Sequence, residues 1–359
     1  MITAMNQKPF IYLRGLRHAD FTVFCVADGQ KNYWDPQFSR SIPYSSGQQV
    51  KRSMIEMLNE QLHTEPSPTT FYFDVNNKGA IKEGEVISLC DPSYPDQLIG
   101  GWMSASQGGK VKTLKRRSPL SISAMTPLHP LLASLPKENI SFDRSDRPNV
   151  HKVVVRDAAG KKLTTDEIDN LLGGSDRSLL RKWIQDNGRA TGLFVYDVAI
   201  DLRRLFCVPT TGLEPEVTTE TLDELRQNGW TAGKNVFGEC LIMPKAQRDK
   251  IIPALADALI DWHITSNQSR TFSLMETLAV AISDNANTIA AAIRAKLMDD
   301  GGDRPKAKPI IDEHAGADTY ISLPCAGYVV TESEQADALD KAKADLVKRM
   351  MDFDYEHQL

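Results

Sequence analysis

The 359-residue sequence lacks the marks of the commonest enzyme and membrane-protein classes. No run approaches the roughly 20 consecutive apolar residues that a membrane helix needs. The first ten residues, MITAMNQKPF, show no basic region followed by an apolar core, so no secretory signal is expected. No CxxC pair occurs. Five cysteines (Cys25, Cys90, Cys207, Cys240, Cys325) stand far apart, an odd and scattered set that suits reduced thiols in a cytoplasm better than a disulfide frame or a zinc site. GxSxG, HExxH and the P-loop are all missing. The seven histidines, His18, His63, His129, His151, His263, His314 and His357, include no pair at helical spacing. No cofactor and no metal are therefore expected. For acid–base or metal chemistry the candidates are Asp28 and Asp35, in a loop where aspartates more often build turns.

Positive charge is slightly outnumbered, with 42 lysines and arginines against 47 acids. The chain carries a net charge of −5, which argues at first sight against a nucleic-acid partner. Residues 299–359, however, hold fourteen acids and seven bases, a balance of −7 that leaves the rest of the chain at +2. A mildly basic body with an acidic tail is compatible with a basic groove.

What is present reads as a mixed fold of about two domains or one elaborated domain. Phe10 to Val26 is rich in aromatic and β-branched residues and predicts a strand with a kink or bulge at Gly15. Val50, Met54, Met57, Leu58 and Leu62 recur at helical spacing, with Ser45 or Ser46 as N-cap. TTFYFDV (69–75) and GEVISLC (84–90) predict strands joined through an NNKG turn. Residues 91–117 read as a loop ending in KVKTLKRR, and 118–130 as a buried strand closed by prolines. A polar excursion, 137–190, holds a short strand at VHKVVVRD and short helices at TDEIDNLL and SLLRKWIQD. GLFVYDVAIDL (192–202) predicts a strong strand. Helices are expected at 219–229, 245–263 and 287–298, while 271–283 is ambiguous. After a flexible DDGGDRPKAKP segment come a bent strand or strand pair (319–330) and an amphipathic helix (332–353) with Leu339, Leu346, Val347 and Met350 inward. The order matches a βαββαβ unit with a long insertion, an antiparallel sheet with helices on one face.

The opening of the first helix, PYSSGQQVKRSMIEML, gathers hydrogen-bond donors and cations. Unpaired first-turn N–H groups, Ser45, Ser46, Gln48 and Gln49, with Lys51 and Arg52, suit one or two phosphates. The plain alternative is an N-cap beside two solvated cations. The run Lys110 to Arg117 holds five cations and no acid in eight residues, and has the same two readings. Gly100, Gly101, Trp102 and Met103 suit a close backbone approach to a ligand or a turn before a packed tryptophan. Val153–Val155 and Leu171–Leu172 suit an apolar wedge between bases or a miniature core.

Four stretches together resemble the RAMP superfamily, and within it the backbone (Cas-seven) subunit of type I CRISPR Cascade complexes. SIPYSSGQQVKRSMIEML resembles the family's serine-rich first helix. VISLCDPSYPDQLIGGWM followed by RRSPLSISAMTPLHP resembles its small-residue loop and the strand after it. ATGLFVYDVAIDLRRLF resembles the strand returning from the thumb, and SNQSRTFSLMETLAVAISD a later segment with an exposed arginine. Order and spacing carry the resemblance rather than any one motif, and residues 299–359 have no assignable counterpart. The resemblance implies an α+β fold: a ferredoxin-like or RRM-like palm (1–136 and 191–298) with finger elements, a thumb (137–190) and an acidic C-terminal region (299–359). It implies RNA contacts at Arg14, Arg40, Ser45, Ser46, Gln48, Gln49, Lys51, Arg52, Met103, Lys112, Lys115, Arg116, Arg117, Asn267, Gln268 and Arg270. It places His151, Lys152, Val153, Val154, Leu171 and Leu172 on the thumb. Its partners are CRISPR RNA, target DNA or RNA through base pairing, further copies of the chain in a helical filament, and other Cascade subunits, with no membrane. The role is non-catalytic scaffolding in an antiviral effector complex. The alternatives are a type III-like subunit that cleaves RNA with Asp35 or Asp28, and an unrelated cytoplasmic metabolic enzyme.

Overall fold

The computed structural model describes residues 8–24, 29–82, 84–104, 112–175, 177–264, 271–299, 302 and 304–359. The first half runs β1 (Phe10–Thr22), β2 (Asn32–Asp35), β3 (Arg40–Pro43), α1 (Gly47–Leu62), β4 (Thr69–Tyr72), β5 (Glu85–Ser88), α2 (Pro95–Gly100), β6 (Trp102–Ser104), β7 (Leu114–Arg116), β8 (Leu120–Ile122), β9 (Thr126–Pro127), β10 (Ala133–Ser134), β11 (Lys137–Asp143), α3 (Thr165–Leu172), β12 (Arg181–Gly188) and β13 (Ala190–Asp201). The second half adds α4 (Leu202–Leu205), β14 (Cys207–Pro209), α5 (Thr219–Gln227), β15 (Thr231–Asn235), β16 (Gly238–Ile242), α6 (Lys245–Asp261), β17 (Thr277–Ser283), α7 (Ala286–Ala292), β18 (Ile293–Met298), β19 (Lys306–Ile311), β20 (Asp318–Ile321) and α8 (Ala338–Met351).

The fold is α+β with antiparallel sheets, as expected. In the seven-stranded central sheet β1 lies between β13 and β17, with β20 beyond β17 and the short strands β8, β9 and β10 along β13. Every pairing in this sheet is antiparallel. Two connections cross over a strand. The chain leaves β1, forms α1 and returns as β8 beyond β13; it leaves β13, forms α6 and returns as β17 beyond β1.

The two faces of the sheet are covered differently. Ile11, Leu13, Phe194, Tyr196, Val198, Val280 and Ile282 pack with Val50, Met54 and Leu58 of α1, with α6, and with Leu346 and Met350 of α8. Leu16, Val195, Ala279 and Ala281 form a second core with Ile289 and Ala292 of α7, Ile293 of β18 and Ile321 of β20. Helices therefore do not occupy one face alone. Because β17 is roofed on both sides, all seven of its residues are buried. Its unbroken apolar run has no period, which is why the sequence left 271–283 open between helix and strand.

Gly15 proves to be neither a kink nor a bulge. It sits in unbroken register opposite Tyr196 and Val280. A Cβ there would lie 2.3 Å from the Tyr196 ring, so the glycine makes room for that ring. The Tyr196 hydroxyl donates to the Leu259 carbonyl at 2.9 Å. Next to it the buried Arg17 donates to the carbonyls of Ile260 (2.7 Å) and Trp262 (2.5 Å) at the C-terminal end of α6. A cation there satisfies orphan carbonyls and complements the helix dipole. The irregularities in β1 fall after it, between Leu16 and Arg17 on the β17 side and between Ala19 and Thr22 on the β13 side.

Several sequence expectations are corrected by pairing partners distant in the chain. Residues 91–117 contain α2 and the β6–β7 hairpin rather than a loop. The expected helix at SLLRKWIQD is largely strand β12, because it pairs with β11. VHKVVVRD forms no strand, only a single bridge between Arg156 and Lys162. The helix expected over 287–298 stops at Ala292, and Ile293–Met298 pairs with Lys306–Ile311, part of the segment read as flexible. Residues 137–188 leave the sheet as the antiparallel ribbon β11–β12 carrying α3. None of the described residues in 144–180, the part beyond the ribbon, is buried.

Candidate nucleic-acid interface

The β6–β7 hairpin sorts the basic run by strand alternation. Trp102 is opposite Arg116 and Met103 is opposite Lys115. The first pair faces inward, the second outward. Gly101 permits the entry turn: its φ is +75°, and a Cβ would come within 2.8 Å of the Arg116 carbonyl oxygen.

Arg116 is buried. Its guanidinium donates to the carbonyls of Leu98 (2.9 Å), Cys207 (2.9 Å) and Arg204 (2.8 Å) and to the Glu216 carboxylate (2.6 Å). It ties α2, α4 and β14 together and is not available to RNA, which corrects its reading as a contact residue. Burial pushes the Glu216 carboxyl above its usual range, against the pull of the Arg116 and Arg204 guanidiniums.

The outward residues converge. Met103, Lys112, Lys115 and Arg117 line one open groove of about 740 Å³ together with Arg204, Leu213 and Phe237. The Arg204 guanidinium stands 3.7 Å from the centroid of the Phe237 ring. Lys112 donates to the Gly212 carbonyl across the groove. Arg204, Leu213 and Phe237 escaped the sequence reading. Their signal is local: a second arginine after a strand (DLRRLF), and an aromatic residue in the NVFGE turn between two strands, where polar residues are usual.

The first-helix residues behave less uniformly. Ser46 is the N-cap, its hydroxyl accepting from the Gln49 N–H at 3.3 Å, and Gln48 is exposed. Ser45 is buried, its backbone bridged to Met125. The Lys51 amine donates to the Gly100 carbonyl (2.8 Å) and the Ser118 hydroxyl (2.7 Å), which fastens α1 beside the β6–β7 hairpin. Burial lowers its pKa to about 8. Lys51 is therefore a tether in this structure rather than a solvated cation. Arg52 is exposed and paired with Glu56 at 2.7 Å.

The remaining candidates lie elsewhere. Arg14 forms a two-pronged ion pair with Asp197 (2.7 and 2.8 Å) and donates to the Ile293 carbonyl. Arg40 donates to the Ala133 carbonyl at 2.9 Å. Asn267, Gln268 and Arg270, like Asp28, lie outside the described residues. Asp35 accepts from the Phe38 N–H at 2.8 Å, closing a turn. On the arm, His151, Lys152, Val153, Val154 and Leu171 are exposed and Leu172 is half-buried.

Two apolar surfaces went unread. The β4–β5 hairpin together with its tip exposes Phe71 (61%), Tyr72, Phe73 (59%), Val75 and Ile81, and its rings are larger than the side chains of Val153, Val154 and Leu171 of the arm. An open cavity of about 630 Å³ is lined by Phe272, Leu274, Leu323 and Leu339, with Phe272 76% exposed. No group of three or more metal-ligating side chains occurs among the described residues. Nor is any helix among them long and apolar enough to cross a membrane.

No protein-family model and no curated protein matches the sequence. Among solved structures, the chain is similar to a chain of a CRISPR RNA-guided surveillance complex, with a TM-score of 0.37 and 10% identity over 95% of this chain and 83% of the other. It is also similar to a chain of a CRISPR RNA-guided surveillance complex described as pre-nicking, with a TM-score of 0.39 and 9% identity over 95% and 88%. Likeness at this level carries no functional argument.

Proposed function

We propose that this chain is a non-catalytic backbone subunit of a cytoplasmic, RNA-guided antiviral complex. It holds a CRISPR RNA by its phosphates and leaves the bases free to pair with target DNA or RNA. The observation that carries the reading is the groove, where Lys115, Arg117 and Arg204 stand beside Met103 and Phe237. Cations that track a backbone, with a guanidinium stacked on an aromatic ring as the plane a base lies against, are working parts of a single-strand site. Phosphate contacts carry no sequence information, so any guide is accepted and recognition passes to base pairing.

The two strand-skipping connections, β1–α1–β8 and β13–α6–β17, support a ferredoxin-like palm. That palm takes in 1–136 and 191–298, with 137–190 as the thumb and 299–359 as a C-terminal addition. The β4–β5 hairpin is the better wedge between bases, since it exposes aromatic rings. The apolar cavity at Phe272 and Leu323 suits a projecting element of the next copy. A projection on one surface and a recess on another make a heterologous, non-closing contact, which yields a filament. Other subunits of the complex cap its ends.

Fluorescent single-stranded RNAs of several sequences test this against the Lys115→Ala, Arg117→Ala double variant. Affinity should fall alike for every sequence, and the slope of log K against log salt should shrink by about 1.4, at about 0.7 for each phosphate no longer neutralised. A fall confined to some sequences overturns the reading.

A further inference from the structure

The β18–β19 hairpin has two unlike faces. Its register pairs Arg294 with Ile310, Lys296 with Lys308 and Met298 with Lys306 on one side. The other side pairs Ile293 with Ile311, Ala295 with Pro309 and Leu297 with Ala307, all apolar. Ile293 is buried in the second core and Ile311 packs against it, so this end of the apolar face is turned toward the body, while Leu297 at the far end is 48% exposed. The face with the lysines is turned away from it, and Lys296, Lys306 and Lys308 are exposed.

Lys296 and Lys308 are direct cross-strand partners. In an antiparallel pair that places their Cβ atoms about 5 Å apart, where like charges destabilise the ladder. Arg294 on the same face is held by Asp312 at 3.1 Å. Lys296 and Lys308 make no ion pair or hydrogen bond among the described residues. A two-stranded hairpin is marginal on its own. Two ammonium groups facing each other on it stand where one anion bridges both.

We infer that the Lys296–Lys308 pair is a second seat for the phosphate backbone of single-stranded nucleic acid, separate from the groove of Met103, Lys115 and Arg117. A bilayer is the poorer occupant, because Ile293 and Ile311 of the apolar face are packed on the protein and Leu297 alone on that face is exposed. The ligand class rests on the proposed function; the residues do not overlap with those that carry it. Lys308 sits in the stretch that the sequence presents as an acidic tail, and Lys296 just ahead of it. The connection between the strands carries acids at 299, 300 and 303 with one cation, Arg304, whereas the strands themselves carry cations and no acid.

The test uses the full chain and fluorescent single-stranded RNA of about 10 and about 30 nucleotides in a salt titration. It compares Lys296→Ala, Lys308→Ala and Lys296→Glu with the groove variant. The double alanine variant should shrink the salt slope for the long RNA by about 1.4. The short RNA, held by the groove alone, should bind as before. Lys296→Glu replaces a repulsive pair by an attractive one, so Tm should rise while affinity for the long RNA falls. An unchanged slope for the long RNA, with the groove variant still impaired, sinks the hairpin site and spares the groove. No binding by the unaltered chain in dilute salt sinks both. If the hairpin variants keep the slope but lose self-association in sedimentation, the lysines face an acidic protein surface and the inference is overturned.

Discussion

Lys115 and Arg116 are neighbours in a run of cations, and strand alternation sends one into solvent and the other into the core. Their substitutions should differ accordingly. Removing Arg116 leaves Glu216 buried beside Arg204 alone, 3.6 Å away. Arg116→Ala should therefore cost about 3–5 kcal/mol in urea unfolding, the range for a broken buried pair. Lys115→Ala should change stability by less than about 0.5 kcal/mol, as surface substitutions do. Equal effects would mean that the hairpin is inverted. Lys51 makes a pH prediction. Its folded-state pKa is depressed from 10.5 to about 8 by burial. Between those values the unfolded chain binds the extra proton, so the Lys51 contribution to stability rises with pH through that window. The stability difference between the unaltered chain and Lys51→Met should thus move in favour of the unaltered chain as pH climbs from about 8. A flat difference shows that the amine is hydrated.

Legibility at the level of elements followed whether the deciding contact was local. The α1 helix was readable because its stripe and its Ser46 cap lie within one short window. Strand β13 was readable because alternation and β-branched residues agree. The boundary between α7 and β18 was not, since Ile293 leaves the helix to pair with Ile311, eighteen positions on. For the same reason β12 looked helical: its partner, β11, lies beyond the whole arm. The candidate site divides similarly. Met103, Lys112, Lys115 and Arg117 could be picked out as a glycine-flanked basic run, whereas Arg204 reaches the groove from α4 and Phe237 from the turn between β15 and β16. The lysine pair on β18–β19 needs a register that no local pattern encodes.

Across the whole molecule, burial separates a body with a two-sided sheet from the outer part of the arm, 144–180, whose described residues contribute nothing to its core. Asp143 and Arg181 are cross-strand partners joined by an ion pair, so the arm beyond them can be replaced by a tight Asn-Gly turn without moving the ribbon. Since none of the described residues in 144–180 is buried, this replacement should leave the unfolding transition of the body within about 0.5 kcal/mol of its original position. Binding of a short RNA in the groove should also persist. Assembly is where the two should part. If the arm bridges successive copies, the shortened protein should bind long RNA without forming regular filaments under the electron microscope, because one half of the head-to-tail interface is gone. Filaments of unchanged length and regularity would assign the bridging to the β4–β5 hairpin alone and remove the arm from the assembly.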